Sequence, residues 1–304
     1  MIKENKVIGG GIIALIVIAS IAFFCFWLVK KAGDRLTTPD NTTQTPSPES
    51  PQPAPPRVEN IETAQRVYLA LGNPSNASAN TGNPNNYLMV NEAFAVSYNN
   101  SKGTPNWVAW RLSQSDFGTA ERQNDFRPDT RLPKTFTMVR PADYTGSGFD
   151  RGHVCPSADR SSNPDLNSLT FLMTNMIPQT GDLNRNVWER LESYSRDLVK
   201  RGKVDLYIVA GVYGEKGKLK QKVSVPSNCW KVIVAVPQGA DVSAINENTH
   251  VIAVDMPNVK GIASEDWRKF RTSVRSIEQK TGYNFLSALP QDLQEKLETR
   301  VDNK

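Results

Sequence analysis

The chain has 304 residues, three cysteines, two histidines and a formal net charge of +5. So few histidines exclude a cluster of imidazole ligands, and the cysteines have no zinc-type spacing. Residues 1–35 hold five basic residues against two acidic ones, and the remainder holds 31 against 29. The net charge therefore indicates nothing about binding partners, and any charged binding surface must be local.

An uncharged run of 23 residues extends from Val7 to Val29, which is long enough to cross a hydrocarbon core. We expect one transmembrane helix at 7–29, within an N-terminal membrane anchor at 1–35. Secretion after signal cleavage is the alternative, but Phe26 and Trp27 at the end of the run give a poor cleavage context. The flanking basic residues are nearly balanced, so the positive-inside rule does not orient the span.

A proline-rich segment follows the apolar run. Residues 37–57 contain seven prolines among Thr, Ser, Gln and Asn. Because this composition cannot bury a core, residues 36–60 are predicted to be a disordered linker. The remaining residues, 61–304, are enough for one domain with a substantial core.

Short segments rich in β-branched and aromatic residues alternate with turn signals from residue 61 onward. Helical spacing of apolar residues predicts one helix at 183–199 and another at 265–280, with Ser264 as N-cap and Gly282 just past the end. The fold class that follows is α+β, built on antiparallel sheet with flanking helices. The predicted strands are 94–98, 107–112, 170–174, 206–212, 230–236 and 251–254.

The most informative motif is the run Asp-Arg-Gly-His at 150–153, followed some thirty residues later by Asn184 and Glu192. The predicted helix at 183–199 places Asn184 in its first turn. Glu192 lies two turns further along, on a neighbouring part of the same face. A loop or strand carrying His153 can therefore meet an amide and a carboxylate held on one rigid element.

These residues resemble the motifs of a known enzyme family. From about Tyr68 to the C-terminus the chain resembles the DNA/RNA non-specific endonucleases of the ββα-metal group. That group includes secreted bacterial nucleases and mitochondrial endonuclease G, and the sequence is most similar to the cyanobacterial sugar-non-specific nucleases. The matching segments are 106–110 (NWVAW), 126–129 (FRPD), 150–153 (DRGH) and 174–179 (TNMIPQ), followed by Asn184, Trp188 and Glu192.

The resemblance implies a role for each matching residue. His153 would be the general base and Asn184 the direct ligand of Mg²⁺, with Mn²⁺ or another divalent ion as a substitute. Glu192 would be an outer-shell carboxylate that orients metal-bound water. Arg122 matches a phosphate-binding arginine, and Arg151 matches a further position at the catalytic site.

Two more residues, Asp150 and Asn175, match supporting positions near the site. The chemistry is consistent with these residue types, because a neutral imidazole can take a proton from water near neutral pH. Magnesium prefers oxygen ligands and keeps several waters, so an amide oxygen and a substrate phosphate suit it. Such a site contacts the nucleic-acid backbone, so the expected substrates are single- or double-stranded DNA and RNA, cleaved to 5′-phosphates.

Several alternatives remain open. Cys155 and Cys229 either form a disulfide in an oxidising compartment or stay free, and His250 is expected to be structural. A catalytically inactive surface module that binds nucleic acid, and a phosphodiesterase for small molecules, are the competing functions. Because unregulated cleavage of nucleic acid would be toxic inside the cell, we expect the catalytic domain to lie outside the cytoplasm.

Overall fold

The structure, a computed structural model, describes residues 60–304. Within this range no helix combines the length and the apolar character needed to cross a bilayer. The predicted anchor helix at 7–29 and the linker up to residue 59 lie outside the described residues.

A seven-stranded antiparallel sheet forms the centre of the described region. The strands in chain order are β1 (Tyr87–Val90), β2 (Ala95–Asn99), β3 (Thr104–Leu112), β4 (Asp150–His153), β5 (Met176–Gln179), β6 (Val204–Tyr213), β7 (Lys218–Leu219), β8 (Val223–Ser224), β9 (Asn228–Pro237), β10 (Val251–Pro257) and β11 (Arg271–Thr272). The order across the large sheet is β1-β2-β3-β6-β9-β10-β11. Five of the six predicted strands coincide with strands of this sheet, which confirms the expected antiparallel α+β architecture.

Both faces of the sheet are covered, because successive residues of a strand point to opposite sides. On one face Leu206 and Ile208 belong to a core that also contains Trp188. On the other face Tyr207 and Val209 belong to a second core. The helices are α1 (Ile61–Tyr68), α2 (Pro164–Leu169), α3 (Glu189–Gly202), α4 (Val274–Thr281) and α5 (Gln291–Glu298). Helix α3 packs on the first face, and helices α4 and α5 pack on the second.

A small hairpin followed by a long helix lies beside the first face. Strands β4 and β5 pair antiparallel, with Asp150 opposite Gln179 and His153 opposite Met176. A π-helical turn at Leu183–Trp188 then runs directly into α3. The helix predicted at 183–199 is therefore confirmed, and the order strand, strand, helix is the expected ββα arrangement.

The helix predicted at 265–280 is wrong in its first half. Residues 267–270 form a 3₁₀ turn capped by Asp266, and Arg271–Thr272 pair with β10 as the edge strand. The helix α4 begins only at Val274, and its N-cap is Ser273 rather than Ser264. Two capping side chains and one strand pairing thus override a continuous apolar period.

The strand predicted at 170–174 is also wrong. Asn163 caps α2 and Pro164 occupies its first turn, so Thr170 is the C-cap of a helix and not the first residue of a strand. A 3₁₀ turn follows at 173–175. The Thr170 hydroxyl donates to the Asn167 carbonyl at 2.6 Å, a local bond that strand pairing would break.

Gly152 lies where no side chain fits. A Cβ atom built on Gly152 would come within 2.0 Å of Oε1 and 2.6 Å of Cδ of Gln179, which is fully buried. We expect Gly152→Ala to lower the free energy of unfolding by about 1–3 kcal/mol in urea titrations, because the added methyl group would overpack the core around the hairpin. Gly181→Ala is the matched control, since its nearest contact would be 3.8 Å. Equal stability of the two variants would contradict this prediction.

Candidate active site

His153 lies at the end of β4 against an aromatic wall. Its imidazole packs edge-on against Phe171 at 4.8 Å between ring centroids and against Phe126 at 5.5 Å. His153 as a whole is half-buried, and its Nε2 atom has neither accessible surface nor a hydrogen-bond partner among residues 60–304. Proton exchange with solvent or substrate therefore has to use Nδ1.

Burial keeps this imidazole neutral. Desolvation, helped by the positive charge of Arg122, lowers the pKa of His153 from 6.5 to about 3. A neutral ring is the form that accepts a proton, so His153 has the charge state required of a general base at neutral pH.

The titration of His153 gives a direct check. In the metal-free protein we expect the C2-proton resonance of His153 to keep its neutral position down to about pH 5. The signal is assigned by its absence from the His153→Gln variant, since the chain has only two histidines. Because the folded pKa is lowered, His153 contributes stability above pH 6.5 that is lost as the pH falls towards about 3. A titration midpoint near 6.5 would show that the ring is solvated.

Asn184 lies in the π-helical turn and is tied to β4 by its side chain. Its Nδ2 donates to Oδ2 of Asp150 at 3.0 Å. Asp150 also accepts hydrogen bonds from Arg185 Nε at 2.8 Å and Nη2 at 2.5 Å. Burial raises the pKa of Asp150, but the bonds from Arg185 and Asn184 outweigh it and lower the pKa, so the group is a carboxylate. Asp150 therefore holds the amide nitrogen, and Oδ1 of Asn184 is left to accept another contact.

Glu192 lies on α3 with its side chain 12% exposed. Its nearest charge partner is Lys231, whose Nζ is 3.7 Å from Oε1. Burial raises the pKa of Glu192 to about 7, and the positive charge of Lys231 partly opposes this rise. Near pH 7 the Glu192 side chain is therefore present in both its charged and its neutral form.

Arg122 joins His153 and Glu192 electrostatically. Its guanidinium lies 4.8 Å from the centroid of Phe171, the ring that also contacts His153. Nη1 donates to Ser157 Oγ at 2.6 Å, which fixes the group in place. Burial lowers the pKa of Arg122, and the charge of Glu192 raises it. The structure therefore brings these three residues within charge range of one another, while Asn184 is connected to the His153 strand through Asp150.

The sequence profile of the DNA/RNA non-specific endonuclease family matches residues 71–292 of this chain. The chain belongs to the DNA/RNA non-specific endonuclease family. A nuclease of Nostoc sp. is 51% identical over 250 residues, which cover 82% of this chain and 90% of that protein. A nuclease of Serratia marcescens is 33% identical over 230 residues, which cover 72% of this chain and 82% of that protein.

A solved structure shares the fold of this nuclease. An EndoG/EndoGI complex matches with a TM-score of 0.61 at 23% identity, and the match covers 74% of this chain and 92% of that chain. The mitochondrial nuclease EXOG of Homo sapiens is 30% identical over 210 residues, which cover 64% of this chain and 55% of that protein. The chain is therefore an enzyme that hydrolyses phosphodiester bonds, as the sequence resemblance implied.

Two other predicted site residues of the nuclease have different environments. The guanidinium of Arg151 lies 5.2 Å from the centroid of Phe126 and donates to the carbonyl of Pro141 at 3.2 Å. Asn175 is fully buried, and its amide bonds both backbone polar groups of Cys155 at 2.9 Å. Asn175 therefore supports the chain just after His153 and does not reach a substrate, whereas Arg151 lines the aromatic wall.

A group of buried charges that the motifs did not predict lies behind Glu192. Lys231 and Asp159 are 1% and 2% exposed, and Arg196 pairs with Asp159 at 3.2 Å. Two features of the sequence could have indicated this group: Lys231 interrupts an apolar strand, and Arg196 follows Glu192 by four residues on the helix. No feature of the sequence indicated Asp159, because its partners come from distant parts of the chain.

The two cysteines of the nuclease domain do not form the disulfide that the sequence left open. Cys155 and Cys229 are both free and fully buried. The Cys229 sulfur instead lies 3.6 Å from Nε2 of Gln179. Burial raises the pKa of the Cys229 thiol to about 12 and raises that of Cys155 as well, so both are unreactive thiols.

Proposed function

We propose that this nuclease is an endonuclease that cuts DNA and RNA without sequence preference, with His153 as the general base and Asn184 as the ligand of Mg²⁺. The observation that supports this most strongly is the position of the His153 imidazole, which packs against Phe171 beside the Arg122 guanidinium. A general base and a cationic group that both contact the Phe171 ring suit the attack of water on a phosphodiester.

The residues divide the work of hydrolysis. Nδ1 of His153 takes a proton from the attacking water as its oxygen bonds to phosphorus and the bond to the 3′-oxygen breaks. The strand that departs takes a proton from water on its 3′-oxygen and ends in a 3′-hydroxyl, and the phosphate stays on the 5′-oxygen of the other strand. Arg122, whose position is fixed by Ser157, stabilises the charge that develops on the non-bridging oxygens.

The residues present fit a hydrated divalent cation. No group of three or more His, Cys, Asp or Glu side chains that could hold a metal occurs in residues 60–304. An enclosed side-chain site is therefore not built there, whereas Oδ1 of Asn184 is oriented by Asp150 and fits a cation that keeps most of its waters. Magnesium, or manganese in its place, would supply positive charge to the phosphoryl oxygens. Glu192 would orient a water of such a cation.

Broad substrate use follows from the kind of contact. The proposed site engages the phosphodiester backbone, which carries no direct sequence information. Single- and double-stranded DNA and RNA would all be substrates.

Digestion of supercoiled plasmid and of RNA by the purified chain tests the proposal. We expect both polymers to be cut with Mg²⁺ or Mn²⁺, cleavage to stop with EDTA, and the product ends to accept a ligase without prior kinase treatment. Binding of plasmid without cleavage would favour the inactive module. Turnover of a chromogenic diester without polymer cleavage would favour the small-molecule enzyme.

For localisation we propose a single-pass anchor at 7–29 with the catalytic domain outside the cytoplasm. The support is the uncharged 23-residue run and the toxicity of free nuclease activity inside a cell. Protease added to intact cells should digest the domain, and protection from protease would overturn the proposal. An inhibitor protein is a further partner to test by co-purification, because one solved structure with this fold is the EndoG/EndoGI complex.

A further inference from the structure

Lys231 is a charged residue in the middle of an apolar strand. It lies on β9 between Trp230 and Val232, and its pairing partners on the adjacent strands are Ala210 and Val254. Its side chain is 1% exposed. Removal of an ammonium group from water is costly unless a counter-charge is near, so this position calls for an explanation.

The ammonium of Lys231 is held by two indole rings. Nζ lies 4.3 Å from the ring centroid of Trp188 and 5.5 Å from that of Trp110. Cations are attracted to the faces of such rings, most strongly where water is excluded. The two contacts fix Nζ on the side of the sheet that packs against α3, 3.7 Å from the carboxylate of Glu192.

Two further charges close the network. Asp159 accepts hydrogen bonds from Trp110 Nε1 at 3.0 Å and from Arg196 Nη1 at 3.2 Å. The buried set therefore has two cations, Lys231 and Arg196, and two anions, Glu192 and Asp159. Each of the two carboxylates therefore has a basic partner, and Arg196 also lies 3.7 Å from the exposed carboxylate of Glu189.

Within residues 60–304, Glu192 makes no side-chain hydrogen bond, and its one ion pair is with Lys231. We propose that Lys231 is a positioning residue, whose ammonium, fixed between Trp188 and Trp110, aims the Glu192 carboxylate for phosphodiester hydrolysis. The inference rests on the proposed function, because the direction of Glu192 matters only if this site cleaves nucleic acid.

A purely structural lysine would behave differently. Replacement of a whole buried ion pair by apolar or neutral groups is often tolerated by the fold, whereas removal of one partner is not. The variants Lys231→Met and Glu192→Gln, their combination, and the wild type therefore form a double-mutant cycle. Lys222→Met is the matched control, since Lys222 pairs with Asp143 at 3.2 Å and lies in another part of the domain.

For each variant of the cycle, kcat and KM are measured by plasmid cleavage, and the unfolding midpoint is measured in urea without metal. We expect Lys231→Met to lower kcat about 10- to 100-fold, as loss of an outer-shell partner does, with KM for DNA changed by less than about twofold. In the Glu192→Gln background the same substitution should have little further effect on kcat. In urea with EDTA, the double variant should unfold at a higher midpoint than Lys231→Met alone, while its kcat stays low.

The outcomes separate the two proposals. Wild-type kcat in Lys231→Met, equal losses in Lys222→Met, or additive losses in the cycle would overturn the positioning role. A double variant that regains both stability and kcat would overturn it as well. An inactive wild-type chain would instead overturn the proposed function, and the positioning role with it.

Discussion

Replacement of His153 by alanine is expected to lower kcat for plasmid cleavage by about 10²- to 10⁴-fold, the range that general bases contribute. The imidazole is held neutral by burial, and no other histidine exists in the chain except His250. His250 bonds Asp302 at 2.8 Å and has a structural place near the C-terminus. His250→Ala is therefore the matched control and should keep wild-type kcat.

The result is interpretable only if the variant folds. Removal of the ring leaves a space beside Phe126 and Phe171, and loss of buried ring contacts destabilises a domain by a few kcal/mol at most. Circular dichroism and the urea midpoint should show a folded His153→Ala protein at the assay temperature. Cleavage at the wild-type rate by a folded variant would remove His153 from the mechanism.

Replacement of Asn184 by alanine is the second large effect. It removes the oxygen that Asp150 orients, so we expect the Mg²⁺ concentration for half-maximal activity to rise and kcat to fall, each by at least about 10-fold, since even loss of an outer-shell partner costs about 10- to 100-fold. Asn186→Ala is the matched control, because Asn186 lies in the same π-helical turn and its amide bonds the carbonyl of Gly181. A metal titration of cleavage measures both variants. An unchanged metal requirement in Asn184→Ala would refute the ligand role.

The elements that the sequence predicted well are those whose pattern is local. The run from Leu183 to Val199 has apolar residues at helical spacing, and they do pack on the sheet. The segment at 265–280 has the same spacing, yet Asp266 and Ser273 each cap a separate turn, and Arg271 pairs with β10. Period alone could not reveal this, since capping and edge pairing compete with it through bonds to other segments.

The same distinction applies to the site. The motif predicted His153, Asn184 and Glu192, and the structure places all three around the hairpin and its following helix. What the motif could not provide is their surroundings. Phe171 and Lys231 come from other parts of the chain. Only the fold shows that Phe171 packs against the imidazole of His153 and that Lys231 lies beside the carboxylate of Glu192.

The two buried thiols determine how this domain responds to reductants. Neither Cys155 nor Cys229 is cross-linked, and both are sealed inside the core. The fold of residues 60–304 is therefore stabilised by packing, hydrogen bonds and ion pairs, and these residues contain no disulfide that a reductant could break. We therefore expect glutathione or dithiothreitol to leave the urea midpoint of this domain unchanged.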